Sequence, residues 1–145
     1  MDVGGGEANT GAMETSDPTR VFIVDDSAYM RKRIAETIGR VASVRVVGEA
    51  ACARAATAAI LGERPHTVLL DLDLAGSTGL EVLKSVRPHA PEVVFVVLTN
   101  HTEDPYRRAC AAAGASYFLD KSREFEQVRE IVARIAATRA RELTP

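Results

Sequence analysis

The fold is decided by residues 68–73, which read VLLDLD. A run of branched apolar residues this short is typical of a strand buried in a parallel sheet. Asp71 then stands where the strand leaves the core. Because ligands bind at the carboxyl ends of the strands in an open α/β sheet, we expect other polar groups to converge on Asp71.

Other short apolar runs along the chain also lead into polar or reactive residues. Residues 21–24 precede Asp25 and Asp26, residues 93–98 precede Thr99, and residues 116–119 precede Asp120 and Lys121. Residues 44–48 form a further, less apolar run. Together these segments predict strands at residues 20–24, 44–48, 67–71, 93–98 and 116–119.

Helical patterns with recognisable ends separate the strands. Asp26 or Ser27 suits the N-cap of the first helix, and Gly62 followed by Pro65 predicts the end of the second. Residues 78–81 have the spacing of a capping box, which predicts that the third helix begins there. Asp104 and Pro105 predict the N-cap and first residue of the fourth helix, and residues 125–135 carry the apolar stripe of the fifth.

Five strands that alternate with five helices predict a parallel sheet covered on both faces. We expect a doubly wound, flavodoxin-like (βα)5 fold with strand order 2-1-3-4-5. The fourth strand is apolar throughout and should be central, whereas the second should lie at an edge. Residues 20–141 should form this single domain, and residues 1–19 lack the bulky apolar groups needed for a core and should be a disordered tail.

Composition narrows the class of protein. The chain has 145 residues and a net charge of −2, which suits one domain and gives no support to direct contact with nucleic acid. Its 2 cysteines make no disulfide framework and are expected to be packed free thiols. No apolar run approaches the roughly 20 residues of a membrane span, and the N-terminus does not resemble a secretory signal. We therefore expect a cytoplasmic protein without membrane insertion.

The strand order brings Asp25, Asp26 and Asp71 to one crevice, between the first and third strands. Carboxylates packed together repel one another unless a cation shares the site, and Mg²⁺ is the natural candidate for carboxylate and carbonyl oxygens. Lys121 adds a fixed positive charge and Thr99 adds a hydroxyl donor. An aspartate nucleophile, a metal, a lysine and a hydroxyl are the parts of a phosphoryl-transfer site, and the product would be an aspartyl phosphate on Asp71.

With these residues the chain resembles the response-regulator receiver domains of bacterial two-component signalling. The motifs that carry the resemblance are VDDS at 24–27, LD at 70–71, GLEVL at 79–83, LT at 98–99, GA at 114–115 and FLDK at 118–121. The resemblance implies that Asp71 is the phosphoacceptor and that Thr99 and Lys121 contact the phosphoryl group. It also implies that the protein is not an enzyme, beyond catalysing its own Mg²⁺-dependent phosphorylation and dephosphorylation.

The same resemblance implies further roles. Asp25 and Asp26 should hold Mg²⁺ with Asp71, and the backbone carbonyl of Asp73 should supply another ligand. Phe118 occupies the place of the family's switch aromatic, which turns inward as Thr99 moves toward the phosphate.

Asp73 and His101 flank the expected position of the phosphoryl group. In this family, the residues at these two positions modulate how water reaches the phosphate, so we expect Asp73 and His101 to tune the lifetime of the aspartyl phosphate.

The chain departs from the family pattern in three places. Ala75 stands where the family often has proline, Thr78 where an acid is frequent, and Ser122 where a proline usually follows the lysine. A trans bond is expected at Lys121–Ser122, because a cis bond without proline costs about 2.5–4 kcal/mol. These departures leave each catalytic group in place.

The sequence leaves three functional hypotheses open. The first is a stand-alone receiver, phosphorylated by a sensor histidine kinase or phosphotransfer protein. It would signal to an unknown target protein through the face built from the fourth helix, fifth strand and fifth helix, with a homodimer as one outcome of phosphorylation. The second is the receiver part of a longer DNA-binding response regulator. The third, more remote, is a phosphatase of the haloacid-dehalogenase type, which shares an Asp-x-Asp pair, a threonine and a lysine.

Overall fold

The structure is a computed structural model that describes residues 17–143. The predicted disordered tail at residues 1–19 therefore lies almost wholly outside the described residues and stays a prediction. Thr19, the last residue assigned to that tail, is the first residue of the sheet.

Five strands of one sheet alternate with five helices along the described residues, and a short antiparallel hairpin of Asp73–Leu74 and Ser77–Thr78 lies between the third strand and the third helix. The strands are β1 (Thr19–Val24), β2 (Val44–Ala50), β3 (Thr67–Leu70), β4 (Val94–Thr99) and β5 (Ala115–Asp120). The helices are α1 (Ala28–Ile38), α2 (Ala53–Glu63), α3 (Gly79–Val86), α4 (Asp104–Ala112) and α5 (Gln127–Leu143). None of these helices is long and apolar enough to cross a membrane.

The five strands form one parallel sheet with the order β2-β1-β3-β4-β5. This order confirms the predicted doubly wound fold and the edge position of β2. The prediction for β4 is also confirmed, because β4 lies inside the sheet and pairs with β3 on one side and β5 on the other. A strand paired on both sides and covered on both faces is expected to be apolar throughout.

Alternate residues of the central strands build two separate cores. Phe22, Val68 and Phe95 point to the face covered by α2 and α3. Ile23 and Leu69 point to the opposite face, where residues of α1 and α5 cover them. The two-residue period of a strand thus explains how an unbroken apolar run serves both faces of the sheet.

Two helix starts match the sequence pattern. Ser27 caps α1, since its Oγ accepts a hydrogen bond of 3.1 Å from the Met30 amide. Thr78 and Glu81 form the predicted capping box at the start of α3, with the Thr78 hydroxyl and the Glu81 carboxylate each accepting from the other's amide. These caps satisfy amides that have no partner within their helices.

Three predicted helix ends were wrong by one or two residues. Gly62 does not stop α2, which continues to Glu63 and is capped by Arg64 in the left-handed conformation with φ of 53°. Pro65 disfavours a right-handed helical conformation at the residue before it. Glu103 rather than Asp104 is the N-cap of α4, because proline is tolerated throughout the first turn. Phe125 precedes α5 and reaches the core from the loop.

Both cysteines are free thiols, as expected. Cys110 lies on the buried face of α4, and this burial raises the pKa of its thiol. Cys52 is half-buried at the start of α2.

Candidate functional site

The site lies where β1 and β3 end side by side. Val24 and Leu70 are paired in register, and the Asp71 amide donates a hydrogen bond of 2.9 Å to the Val24 carbonyl. Asp25 and Asp71 therefore leave the sheet at the same level. This is the convergence expected from the sequence.

Three carboxylates meet at this point. Oxygens of Asp25, Asp26 and Asp71 all lie within 4.8 Å of one another. Asp25 and Asp71 are buried, with relative exposures of 1% and 4%, whereas Asp26 is exposed. The carboxylates of Asp25 and Asp71 are thus held away from water, so the repulsion between them is poorly screened.

Lys121 connects the two buried carboxylates. Its Nζ lies 2.7 Å from Oδ2 of Asp25 and 2.6 Å from Oδ2 of Asp71. Lys121 reaches this position because it directly follows β5, and its amide donates a hydrogen bond of 2.8 Å to the carbonyl of Thr99 at the end of β4. One ammonium group therefore serves two acids from different strands.

Burial and the neighbouring charges act in opposite directions on the pKa of Asp25 and on the pKa of Lys121. Burial raises the pKa of Asp25, and hydrogen bonds from Lys121 and the Ser27 amide offset only part of that effect. Burial also acts to lower the pKa of Lys121, but hydrogen bonds and charge attraction from Asp25 and Asp71 outweigh it and raise the pKa. Lys121 is therefore a permanent cation in this site.

The donor set fits a divalent cation. Oδ2 of the buried Asp25 makes no hydrogen bond of good geometry, although it lies beside Lys121. Asp25, Asp26 and Asp71 together carry three negative charges against the one positive charge of Lys121. A hard cation with oxygen ligands, such as Mg²⁺, matches both the excess negative charge and the set of carboxylate oxygens.

Thr99 and Asp73 flank Asp71. Thr99 is fully buried, and its Oγ1 accepts a hydrogen bond of 3.2 Å from the His101 amide. The Asp73 amide donates to Oδ1 of Asp71 at 3.2 Å. The role of the Asp73 carbonyl as a metal ligand stays a prediction.

A side-chain pair bridges the two loops beside Asp71. Nε2 of His101 lies 3.1 Å from Oδ2 of Asp73, and the His101 ring lies 5.3 Å from that of Tyr106. This pair lines a pocket of about 220 Å³ between the loop after β3 and α4. The sequence pointed to both residues of the pair but not to their contact, which depends on loop conformation.

Phe118 is half-buried on β5. The guanidinium of Arg107, on α4, lies 4.6 Å from the centre of its ring, and Nε of Arg107 donates to the Thr102 carbonyl at 3.0 Å. The ring thus contacts the helix that follows the Thr99 loop. Its role as a switch stays a prediction.

Gly79 supports Asp71 through close packing. A Cβ atom at Gly79 would lie 2.2 Å from the Asp71 carbonyl oxygen, which leaves no room for a side chain. Gly79 also donates its amide to the Leu72 carbonyl at 3.0 Å. Only glycine allows α3 to begin this close to the backbone of Asp71.

Two further residues at the site were missed by the sequence reasoning. Nη1 of Arg31 donates to the backbone carbonyl of Asp25 at 2.7 Å, and its Nε lies 3.0 Å from Oε1 of Glu49. The residue pattern carries no signal for this contact, because Arg31, Lys32 and Arg33 are consecutive basic residues and the acceptor is a backbone atom.

Ser122 compensates for one of the departures from the family pattern. Its Oγ donates to Oδ1 of Asn100 at 2.8 Å, which ties the loop after β5 to the loop after β4. The peptide bond before Ser122 is trans, as expected, since the described residues contain no cis bond.

Comparison with known proteins identifies the family. A family model described as the response regulator receiver domain matches residues 21–133. The chain therefore belongs to the receiver domain family of two-component response regulators. The crystal structure of the response regulator domain of Thermotoga maritima CheB has a TM-score of 0.75 and 25% identity, with coverage of 88% of this chain and 99% of that one.

Sequence relatives are response regulators of greater length. Response regulator UvrY of Escherichia coli is 31% identical over 108 residues, which are 74% of this chain and 50% of that protein. The DNA-binding transcriptional activator DevR/DosR of Mycobacterium tuberculosis is 28% identical over 121 residues, 83% of this chain and 56% of that protein. The chain thus spans about half the length of these relatives.

Proposed function

We propose that this receiver domain accepts a phosphoryl group on Asp71 from a histidine kinase or a phosphotransfer protein. The observation that carries the proposal is the Lys121 ammonium, which lies 2.6 Å from Asp71 in a buried, acid-rich crevice. A buried carboxylate beside a fixed cation suits a nucleophile whose transition state gains negative charge on the incoming phosphoryl oxygens.

The reaction transfers phosphorus from nitrogen to oxygen. A carboxylate oxygen of Asp71 attacks the phosphorus atom of a phosphohistidine, and an oxygen–phosphorus bond forms as the phosphorus–nitrogen bond breaks. The electron pair leaves with the imidazole, which takes up a proton from water. Lys121 and the Thr99 hydroxyl then hold the phosphoryl oxygens of the aspartyl phosphate.

Mg²⁺ is the cofactor that this site would hold. Its ligands would be the carboxylates of Asp25, Asp26 and Asp71 and the backbone carbonyl of Asp73. When bound, it supplies positive charge that reduces the repulsion between the phosphoryl group and the acids. Asp25 and Lys121 keep the nucleophile oriented, and the buried strand ends exclude water from it.

Replacing Asp26 by asparagine should weaken Mg²⁺ binding by about tenfold or more, equivalent to about 1.4 kcal/mol. Asp26 is exposed, so the substitution removes one carboxylate from the cluster without opening the core. Isothermal titration calorimetry with MgCl₂ measures the affinity. Glu36→Gln, an exposed acid farther along α1, is the control and should bind as the wild type does. Equal affinities for both variants would contradict the assignment of Asp26.

We propose that the signal leaves through the face made by α4, β5 and α5. Thr99 would move toward the phosphate, and Phe118 would turn into the space that this movement opens. The contact between Arg107 and the Phe118 ring supports this route, because it joins α4 to β5. The recipient is a target protein or a second copy of the chain.

Asp73 and His101 are proposed to control the lifetime of the aspartyl phosphate, since their contact bridges the loops beside Asp71. Asp73→Asn should release the phosphoryl group several-fold faster, because the weakened pair would admit water more easily. The decay of labelled protein after removal of the phosphodonor measures this. Asp104→Asn, which removes an exposed acid from the start of α4, should decay as the wild type does. If the aspartyl phosphate decayed at the same rate in Asp73→Asn and in the wild type, Asp73 would not control its lifetime.

A second candidate function is favoured by the length of the relatives. One of them is named as a DNA-binding activator, and this chain matches about half of it. The domain would then act as the receiver part of a longer DNA-binding regulator. The expectation that the receiver itself does not contact nucleic acid stays a prediction in either case.

The test of the proposed function is stoichiometric labelling by acetyl phosphate. Wild-type protein with Mg²⁺ should gain one phosphoryl group per chain, and Asp71→Asn should gain none, because an amide oxygen is a far weaker nucleophile. Intact-mass spectrometry measures both. Continuous hydrolysis of a generic phosphate ester would instead indicate the haloacid-dehalogenase type of phosphatase, and labelling of Asp71→Asn equal to wild type would overturn the proposal.

A further inference from the structure

Asp25 is held through its backbone as well as its side chain. Its amide donates to the Ala50 carbonyl at 3.1 Å, and its Oδ1 accepts from the Ser27 amide at 2.9 Å. Its carbonyl oxygen accepts from Nη1 of Arg31 at 2.7 Å. The Arg31 contact is a charge-assisted hydrogen bond from a different element, so it fixes the direction of the peptide that joins Asp25 to Asp26.

Arg31 is itself held in place. Its Nε lies 3.0 Å from Oε1 of Glu49 near the end of β2, and its side chain is only 20% exposed. The two ends of one planar guanidinium therefore contact β2 and the loop after β1 at the same time. A lysine, with a single ammonium group, does not reproduce this fork.

From this geometry we propose that Arg31 is a positioning residue for Mg²⁺, acting through the backbone of Asp25. The inference rests on the proposed function, because it assigns the cation to the Asp25, Asp26 and Asp71 cluster. Arg31 does not contact the cation. It holds the peptide that carries the Asp25 and Asp26 carboxylates in the arrangement that brings them within 4.8 Å of Asp71.

Electrostatics alone predicts the opposite effect of Arg31. A fixed positive charge one hydrogen bond from the acid cluster repels a divalent cation, so its removal should tighten Mg²⁺ binding. A positioning role predicts instead that removal of Arg31 weakens Mg²⁺ binding, because the peptide between Asp25 and Asp26 loses the hydrogen bond that fixes its direction. Loss of the residues that orient metal ligands usually reduces affinity by about 10- to 100-fold. The direction of the change therefore distinguishes the two effects.

The experiment measures Mg²⁺ affinity by calorimetry in the wild type, Arg31→Ala and Arg31→Lys. Arg31→Ala should bind about tenfold more weakly. Arg31→Lys, which keeps the charge, should also bind more weakly, although by less. Lys32→Ala is the charge control on the next residue of α1 and should bind as tightly as the wild type or more tightly.

A second readout uses the metal-free protein. Amide hydrogen exchange at residues 25–31 should be faster in Arg31→Lys than in the wild type. Arg64→Ala is the stability control, because Arg64 makes a similar contact with the His89 carbonyl far from the acids. Arg64→Ala should lower the urea concentration at the midpoint of unfolding without changing Mg²⁺ affinity or amide exchange at residues 25–31.

The outcomes separate this inference from the proposed function. If the wild type binds Mg²⁺ and is labelled by acetyl phosphate while both Arg31 variants bind as tightly as the wild type or more tightly, Arg31 has no positioning role. If the wild type binds no Mg²⁺, the proposed function fails and this inference fails with it. Weaker binding by both Arg31 variants, with Lys32→Ala unchanged or tighter, supports the inference.

Discussion

Replacing Lys121 by methionine is expected to lower the free energy of unfolding by about 3–5 kcal/mol in metal-free buffer at pH 7.5. The substitution leaves the Asp25 and Asp71 carboxylates buried near one another without the ammonium group that lies within 2.7 Å of both. Saturating Mg²⁺ should restore part of the loss, because a cation that binds only the folded state stabilises it. The variant should therefore depend more strongly on Mg²⁺ than the wild type does.

Urea unfolding followed by circular dichroism, with and without MgCl₂, measures both effects. Lys84→Met is the matched control, because Lys84 is an exposed lysine of α3 away from the acid cluster. It should change stability little and should not alter the response to Mg²⁺. If Lys121→Met were as stable as Lys84→Met without Mg²⁺, the ammonium would not be needed to hold the two acids.

The second large effect is expected at Gly79. A methyl group at this residue would lie 2.2 Å from the Asp71 carbonyl oxygen and 3.1 Å from Cγ of Leu70, so the start of α3 must move away from β3. Gly79→Ala should therefore lower the free energy of unfolding by about 1–3 kcal/mol. It should also slow labelling by acetyl phosphate, because the displaced backbone is that of the nucleophile.

Gly62→Ala provides a control in which the free energy of unfolding should change in the opposite direction. Gly62 lies inside α2, and a Cβ atom there would meet nothing within 4 Å. Alanine at this residue should raise the free energy of unfolding by about 0.5–1 kcal/mol, because it removes the entropic cost of a helical glycine. Thermal melts of both variants measure the difference. A shift of the same sign in both would contradict the close packing at Gly79.

The sequence was sufficient to predict the sheet and the residues at its carboxyl edge. Apolar runs such as residues 68–70, each followed by a polar residue, carry that information locally. The strand order then follows from general rules for parallel sheets, and it brings Asp25 and Asp71 together. The capping box at Thr78 was also readable, because it depends on residues only three positions apart.

Contacts that depend on packing could not be predicted in this way. The simultaneous contact of Lys121 with two acids depends on the exact distances between three strand ends. The bond from Arg31 to the Asp25 carbonyl involves a backbone atom, which leaves no trace in the residue pattern. The end of α2 was misjudged because Gly62 is compatible with a helix interior and the limit is set by Pro65.

The central claim is that Asp71 carries the phosphoryl group. Protein treated with acetyl phosphate and Mg²⁺ is reduced with sodium borohydride, which converts an aspartyl phosphate to homoserine, and its peptides are sequenced by mass spectrometry. Homoserine at residue 71, dependent on both Mg²⁺ and acetyl phosphate, is the predicted result. Homoserine at Asp25, Asp26 or Asp73 instead, or a label that resists borohydride, would contradict the claim.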